Sequence, residues 1–543
     1  MGRPSRLPEL DQPKESTKPK SEEVHSAIVR HSAVISLFNG LGVLGGLVLD
    51  MVVAALFGLG QATDGFFLAF TVPQFVMLVL QGSFVSGLVP VLTGLQDGER
   101  TRAWTVFSRL LNLSGALLVA ISALGWLAAG WITGVVGAGL ELPQRAQAVS
   151  LARILFLMLP PLGLAEVMRA QLNAMERFAV PAAGNVVRHM GALATLLLGY
   201  HTWGIRALAF GYVVGALAQM VLLAVAIAWA GGRYRFSWSL ADPDVREGMR
   251  LLMTRAGGIG LRRSVLILER FLASFLPAGS VTALSYARRI SLSLFQVFAN
   301  SVSAAILPAL SASARAGDGS ALRRSLRLGY RLLSFVTCPA AALMAALSTP
   351  IVWVLFQRGA FDAADTALTA ALLTIYALNV PALALVQVLL TPHYARRDAT
   401  TPTRHMAWML GVNTLLAWGL MRLIGVHGLA WASTLTAFLS VARAYWLLRP
   451  LGGLDLGAYT ARVVAASCVA GLAAWGGWAV AGRLGWATTT IDALLVAAGT
   501  GSLGGLIYLA VGQLLRLDEL PRLLQLVRGI SDARQAMGAI GDE

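Results

Sequence analysis

Of 543 residues, 57% are hydrophobic and 13% charged, and the mean hydropathy is +0.69, which excludes a soluble globule of ordinary composition. The formal charge of +16 would suit nucleic acid, but the arginines sit at the ends of apolar runs and share no soluble face, so no nucleic-acid partner is expected. Cys338 and Cys468 lie inside apolar runs without metal-ligand spacing and read as packing residues.

Residues 1–27 are rich in Pro, Lys, Glu and Ser and predict a disordered cytoplasmic tail. Beyond them, apolar segments of about 20 residues or more recur, the length a helix needs to cross about 30 Å of hydrocarbon. They lie near 32–57, 65–94, 104–134, 149–173, 180–200, 206–231, 250–276, 282–312, 330–356, 366–392, 405–423, 427–448, 461–482 and 491–514. The expected fold class is an all-α polytopic membrane protein with about 14 transmembrane helices.

Arginine alternates across the connections between these segments. The even connections hold Arg100 and Arg102, Arg177, then Arg233, Arg235 and Arg246, and so on to Arg443 and Arg449, whereas the odd ones hold one arginine or none. Cytoplasmic loops carry that excess, so both termini are expected in the cytoplasm.

A repeat underlies the pattern. SFVSGLVPVL (83–92) is echoed by SVSAAILPAL (301–310) at a shift of 218, and AMERFAVP (174–181) by ARRDATTP (395–402) at 221. Spans 1–6 therefore read as duplicated in spans 7–12, two six-helix lobes in parallel pseudo-twofold repeat, with two further C-terminal helices. The division expected is 28–232 and 247–449 for the lobes, 457–516 for the last two spans, and 517–543 for a cytoplasmic tail.

No Walker loop, Cys/His spacing or nucleophile elbow is present, so catalysis is not expected; glycines such as Gly40, Gly42, Gly45 and Gly46 read as close helix packing. The informative groups are ionisable residues inside apolar runs, which must face a cavity or a partner. They are Asp50, Asp64, Glu166, Arg169, Arg188 and His189, then Arg255, Arg262, Arg263, Glu269 and Arg270 in span 7, with Arg288 and Arg289 in span 8. Arg255, Arg262 and Glu269 recur every seven residues, one stripe on a continuous helix. An anionic head group such as a pyrophosphate suits the guanidinium fork; the alternative is that Glu269 pairs with an arginine to lock span 7 to span 8. Asp64, beside Thr63, is read either as a site residue or as a helix cap.

The run FGLGQATDGFFLAFTVPQF followed by LQGSFVSGLVPVL, together with FLASFLPAGSVTALSYARRI (271–290), LFQRGAFDAADT (355–366) and HYARRDATTPT (393–403), resembles the MurJ (MviN) family of lipid II flippases. That family lies within the multidrug/oligosaccharidyl-lipid/polysaccharide exporter superfamily. The resemblance implies two lobes around a central cavity and alternating access that carries an undecaprenyl-pyrophosphate-linked saccharide across the bacterial inner membrane. It implies no cofactor, coupling to the membrane potential or a monovalent cation, and envelope-synthesis glycosyltransferases as partners. Asp64 and Arg289 match the family pattern. Val43 and Leu49 stand where relatives carry arginines, and Gln81 where they carry an acid. The expected substrate-binding residues are Arg262, Arg263, Arg270, Arg289, Asp50 and Asp64, with Glu269 as an ion-pair partner. The substrate is either lipid II or a precursor of another surface glycan. The competing readings are a cation-coupled drug antiporter of the same superfamily and a transport-inactive scaffold.

Overall fold

The computed structural model describes residues 19–95, 100–293, 295, 319–396, 398, 400–449, 456–517 and 519. Among the side chains of those residues, 19–36, 100, 261, 262 and 395 are outside the description.

Every regular element among the described residues is a helix. The first half runs α1 (Pro19–Phe57), α2 (Gln61–Gly94), α3 (Arg100–Leu127), α4 (Ala129–Val136), α5 (Leu142–Phe156), α6 (Leu159–Ala174), α7 (Ala179–Trp203) and α8 (Arg206–Trp229). The second runs α9 (Pro243–Arg263), α10 (Val265–Ala273), α11 (280–293), α12 (Gly319–Ala346), α13 (Ser348–Phe356), α14 (Ala363–Ala395), α15 (Thr400–Ile424) and α16 (Val426–Leu447). The chain then adds α17 (Gly457–Arg483) and α18 (Thr490–Leu514). α1 begins inside the stretch read as a tail; residues 1–18, like most of 517–543, lie outside the described residues.

Among the described residues, ten helical stretches are long and apolar enough to cross a bilayer, against the 14 spans expected. The stretches that fall short are helical but polar. α7 carries Arg188 and His189, α9 carries five arginines and is interrupted from α10 at Ser264, and α16 carries Arg443 among Ser and Thr. The remaining span, 282–312, lies beyond the described residues after 295.

The duplication is visible in the element boundaries. A shift of 221 carries Leu142 and Ala174 onto Ala363 and Ala395, the ends of α14, and carries Ala179 and Trp203 onto Thr400 and Ile424, the ends of α15. The same 221 relates Gly204 (φ 53°) to Gly425 (φ 61°), both closing a turn between antiparallel helices in the left-handed region that favours glycine. Pro160 and Pro161 open α6 at its first positions, where the missing N–H costs no helical hydrogen bond.

α2 is the spine of the first half, packing on α5, α6 and α9. It approaches α9 closely because Gly82 and Gly87 face Ile259 and Leu252, where an added Cβ would sit 2.7 Å and 3.2 Å from the nearest atoms. Its hydroxyls return to their own helix, Thr71 to Phe67 O at 2.8 Å and Ser86 to Gly82 O at 2.7 Å, because lipid offers them no partner. In the second half α14, the counterpart of α5 and α6, packs on α12 and α16. The end of α1 meets the α13–α14 turn, where the Ala360 N–H donates to Ala55 O at 2.8 Å.

Candidate functional site

The buried charges of the first half converge on α1, α6 and α7 and are joined by α11. Asp50 on α1 is 4% exposed and receives Arg289 of α11 in a bidentate pair, Nε to Oδ2 at 2.8 Å and Nη1 to Oδ1 at 3.1 Å. That arginine reaches α1 because position 46 is glycine: a Cβ there would lie 2.3 Å from Arg289 Nη2 and 3.2 Å from His189 Nε2. Tyr212 of α8 faces the same guanidinium.

One turn deeper, Glu166 on α6, 2% exposed, pairs with Arg169 at 3.2 Å, and Arg169 Nη2 donates to Asn185 Oδ1 of α7 at 3.0 Å. His189 Nδ1 lies 2.8 Å from Asn185 O. Arg188 faces Glu166, Arg169, Tyr212 and Arg289 together, and its Nη1 is buried without a hydrogen-bond partner. Gln81 of α2 faces Glu166. An acid at position 81 would set two carboxylates against each other, which gives this departure from the family pattern a physical reason.

The cluster holds three guanidiniums, Arg169, Arg188 and Arg289, against two carboxylates, Asp50 and Glu166, and is therefore cationic inside the membrane. A buried excess charge of this kind requires a counter-ion or a ligand.

The other expected site residues are placed differently. Both oxygens of Asp64 accept hydrogen bonds from the start of α11: Gly279 N at 2.7 Å, Thr282 N at 2.8 Å and Thr282 Oγ1 at 2.6 Å. Asp64 is a helix cap, but for α11 and not for its own helix, which Thr63 caps through Gly60 N at 3.1 Å. Arg270, 8% exposed, donates to Val281 O at 2.8 Å and to the Ser285 hydroxyl, and stacks 5.5 Å over the Phe67 ring. It ties α10 to α11. Glu269 pairs with Arg288 and accepts from the Tyr376 hydroxyl at 2.7 Å, which is the helix-locking role. Arg263 and Arg255 are exposed on α9, and the Arg262 side chain lies outside the described residues. The charged stripe expected along span 7 is thus divided at Ser264, its acidic end buried in α10.

Of the expected site residues whose side chains are described, only Asp50 and Arg289 come together in the cationic cluster. Arg169 and Arg188, interior charges outside that set, complete it. The signal in the sequence was the Glu166–Arg169 spacing of three, one turn of helix, followed by a second interior arginine at 188.

A family model described as lipid II flippase MurJ matches residues 53–493. The probable lipid II flippase MurJ of Vibrio cholerae serotype O1 is 29% identical over 521 residues, covering 92% of this chain and 98% of the relative. The lipid II flippase MurJ of Burkholderia cenocepacia is 27% identical over 437 residues, covering 78% and 84%. Among solved structures, a lipid II flippase MurJ in an inward closed conformation superposes with a TM-score of 0.74 at 20% identity, covering 91% of this chain and 100% of that one. An inward-facing multidrug resistance MATE family transporter of the MOP superfamily follows at 0.65 and 12% identity, covering 77% and 98%.

Proposed function

The chain belongs to the lipid II flippase MurJ family, and on that premise we propose that it carries lipid II, an undecaprenyl-pyrophosphate-linked saccharide, across the bacterial inner membrane by alternating access. The head-group pyrophosphate is met by Arg169, Arg188 and Arg289. One observation carries this reading: the three guanidiniums outnumber the two carboxylates around them, and Arg188 Nη1 has no partner. Planar guanidinium forks match phosphate oxygens two at a time. The cluster restores to the first half the positive charge that Val43 and Leu49 do not supply.

In this reading the lobes are 28–232 and 247–449, 457–516 adds two helices, and both termini are cytoplasmic. The site needs no cofactor; the energy comes from the membrane potential acting on the cationic cluster, or from a monovalent cation. Glycosyltransferases that build the envelope are the expected neighbours.

The test is complementation of a strain depleted of its own lipid II flippase, paired with lipid II translocation in proteoliposomes. Arg188→Gln and Arg289→Gln are each expected to lower translocation by about tenfold or more, since each removes a charge-assisted contact to the pyrophosphate. Wild-type translocation by both variants overturns the site assignment. Failure of the unaltered chain in both assays, with translocation of another polyprenyl-linked glycan intact, overturns the choice of lipid II.

A further inference from the structure

Where α14, α15 and α16 meet beside the α14–α15 connection, buried nitrogen atoms gather that no described residue satisfies. His405 on α15 is 1% exposed, and neither Nδ1 nor Nε2 has a hydrogen-bond partner among the described residues. Two basic side chains face it, His393 from α14 and Arg443 from α16. Arg443 lies over the Trp408 ring, Cζ 4.7 Å from its centroid, and its Nη1 is buried with no acceptor. His393 turns Nδ1 toward Asp398 Oδ2 at 3.3 Å, which leaves the opposite nitrogen, Nε2, buried and unpartnered.

Native proteins satisfy nearly all buried polar atoms, so four nitrogens from three helices without a partner among the described residues mark a place for a further group. The need is for an acceptor: arginine only donates, and each imidazole carries at least one N–H. The nearby carboxylate, Asp398, is already occupied by Thr400 N at 3.0 Å, Thr400 Oγ1 at 2.7 Å and Thr401 N at 3.1 Å. Arg443 repels a metal ion, and no metal-binding group of His, Cys, Asp or Glu occurs among the described residues. Arg396 and Arg404 are exposed at the same connection and add positive charge there.

We propose that His393, His405 and Arg443 form a second binding site, for a phosphate-class anion at the membrane boundary, either the head-group phosphate of an anionic phospholipid or free phosphate. Basic pockets between helix ends at this level recognise such head groups, and a guanidinium held over an indole can offer them its fork. The site is separate from the central cluster and does not rest on the substrate assigned there.

The experiment follows the thermal midpoint of the full-length protein in detergent as inorganic phosphate, phosphatidylglycerol or phosphatidylcholine is added at matched ionic strength. The midpoint is expected to rise with phosphatidylglycerol and not with phosphatidylcholine. A matching rise with inorganic phosphate shows that the free anion suffices, and a rise with the lipid alone assigns the site to a head group. Arg443→Gln and His405→Leu are each expected to weaken the response by about tenfold or more. Should one variant fail to fold, the other reads the same site, and Arg443→Lys, which keeps the charge but loses the fork, falls between. A wild-type midpoint indifferent to both phosphate and phosphatidylglycerol overturns the proposal, as does an unchanged response in the folded variants.

Discussion

Gly46 shows how a residue with no side chain controls a charged one. Arg289 lies against α1 only because no Cβ stands 2.3 Å from its Nη2. Gly46→Ala should therefore push the guanidinium out of line with Asp50 and reduce lipid translocation by about 10- to 100-fold, the cost of about 1 Å of misplacement, while the protein still folds. Wild-type translocation in a proteoliposome assay would dismiss this role. Glu269 acts differently, because its partners are Arg288 and Tyr376. Glu269→Gln should lower stability by about 2 kcal/mol, after allowing for the partial exposure of Arg288, and should leave head-group affinity unchanged. Denaturation and binding measured on the same variant separate the two effects. At the α14–α15 connection, hydrogen bonds from Thr401 and Thr400 hold the Asp398 carboxyl below its ordinary 3.8. A depressed folded-state value means that the cap's contribution is complete above that ordinary value and is lost as pH falls through the lower one. A thermal midpoint followed from about pH 5 to about pH 2 should lose this component in Asp398→Asn, and identical profiles would remove it.

Among the elements, α11 depends on α2 for its start. Its first N–H groups have no intrahelical acceptor, and Asp64, from the other half of the repeat, supplies one. The two residues joined, Asp64 and Thr282, are 218 apart, the shift that aligns 83–92 with 301–310, so equivalent positions of the two copies meet at one point. Asp64→Ala should cost about 2 kcal/mol, more than an exposed cap, because it leaves three buried donors unanswered. Hydrogen exchange concentrated in 279–285 would locate the loss; a uniform change along the chain would argue against a cap. The same contact explains why an acid at 64 matched the family pattern while its role was open between a site and a cap. Sequence spacing shows which residues share a helix face, but not which helix end lies across from them.

For the whole molecule, the first and second halves are held at one end by Asp64 to Gly279 and Thr282, by Leu59 N to Asp365 Oδ2 at 3.1 Å, and by Ala360 N to Ala55 O at 2.8 Å. Alternating access requires that this end open. A disulfide across Asp64→Cys and Thr282→Cys should stop translocation, and reduction should restore the rate of the reduced double variant. Undiminished transport in the oxidised protein would show that this closure does not move.

Composition, the recurrence of apolar runs and the internal echoes already determined an all-helical membrane chain built from a duplicated unit, because the cost of placing polar backbone and charge in lipid leaves few other solutions. Four motifs in order determined the family. The number of helices apolar enough to span was not legible: α7, α9 and α16 carry arginines within their length, and hydropathy cannot distinguish a helix facing lipid from one facing protein. Nor was the site. Asp50 and Arg289 are 239 residues apart, and Glu166 and Arg188 reach them from helices with no sequence proximity to either, so only tertiary packing could bring three arginines and two acids into one buried cluster. It also withdrew Arg270 and Glu269 from that cluster, because α11 takes up their charges through Val281, Ser285 and Arg288.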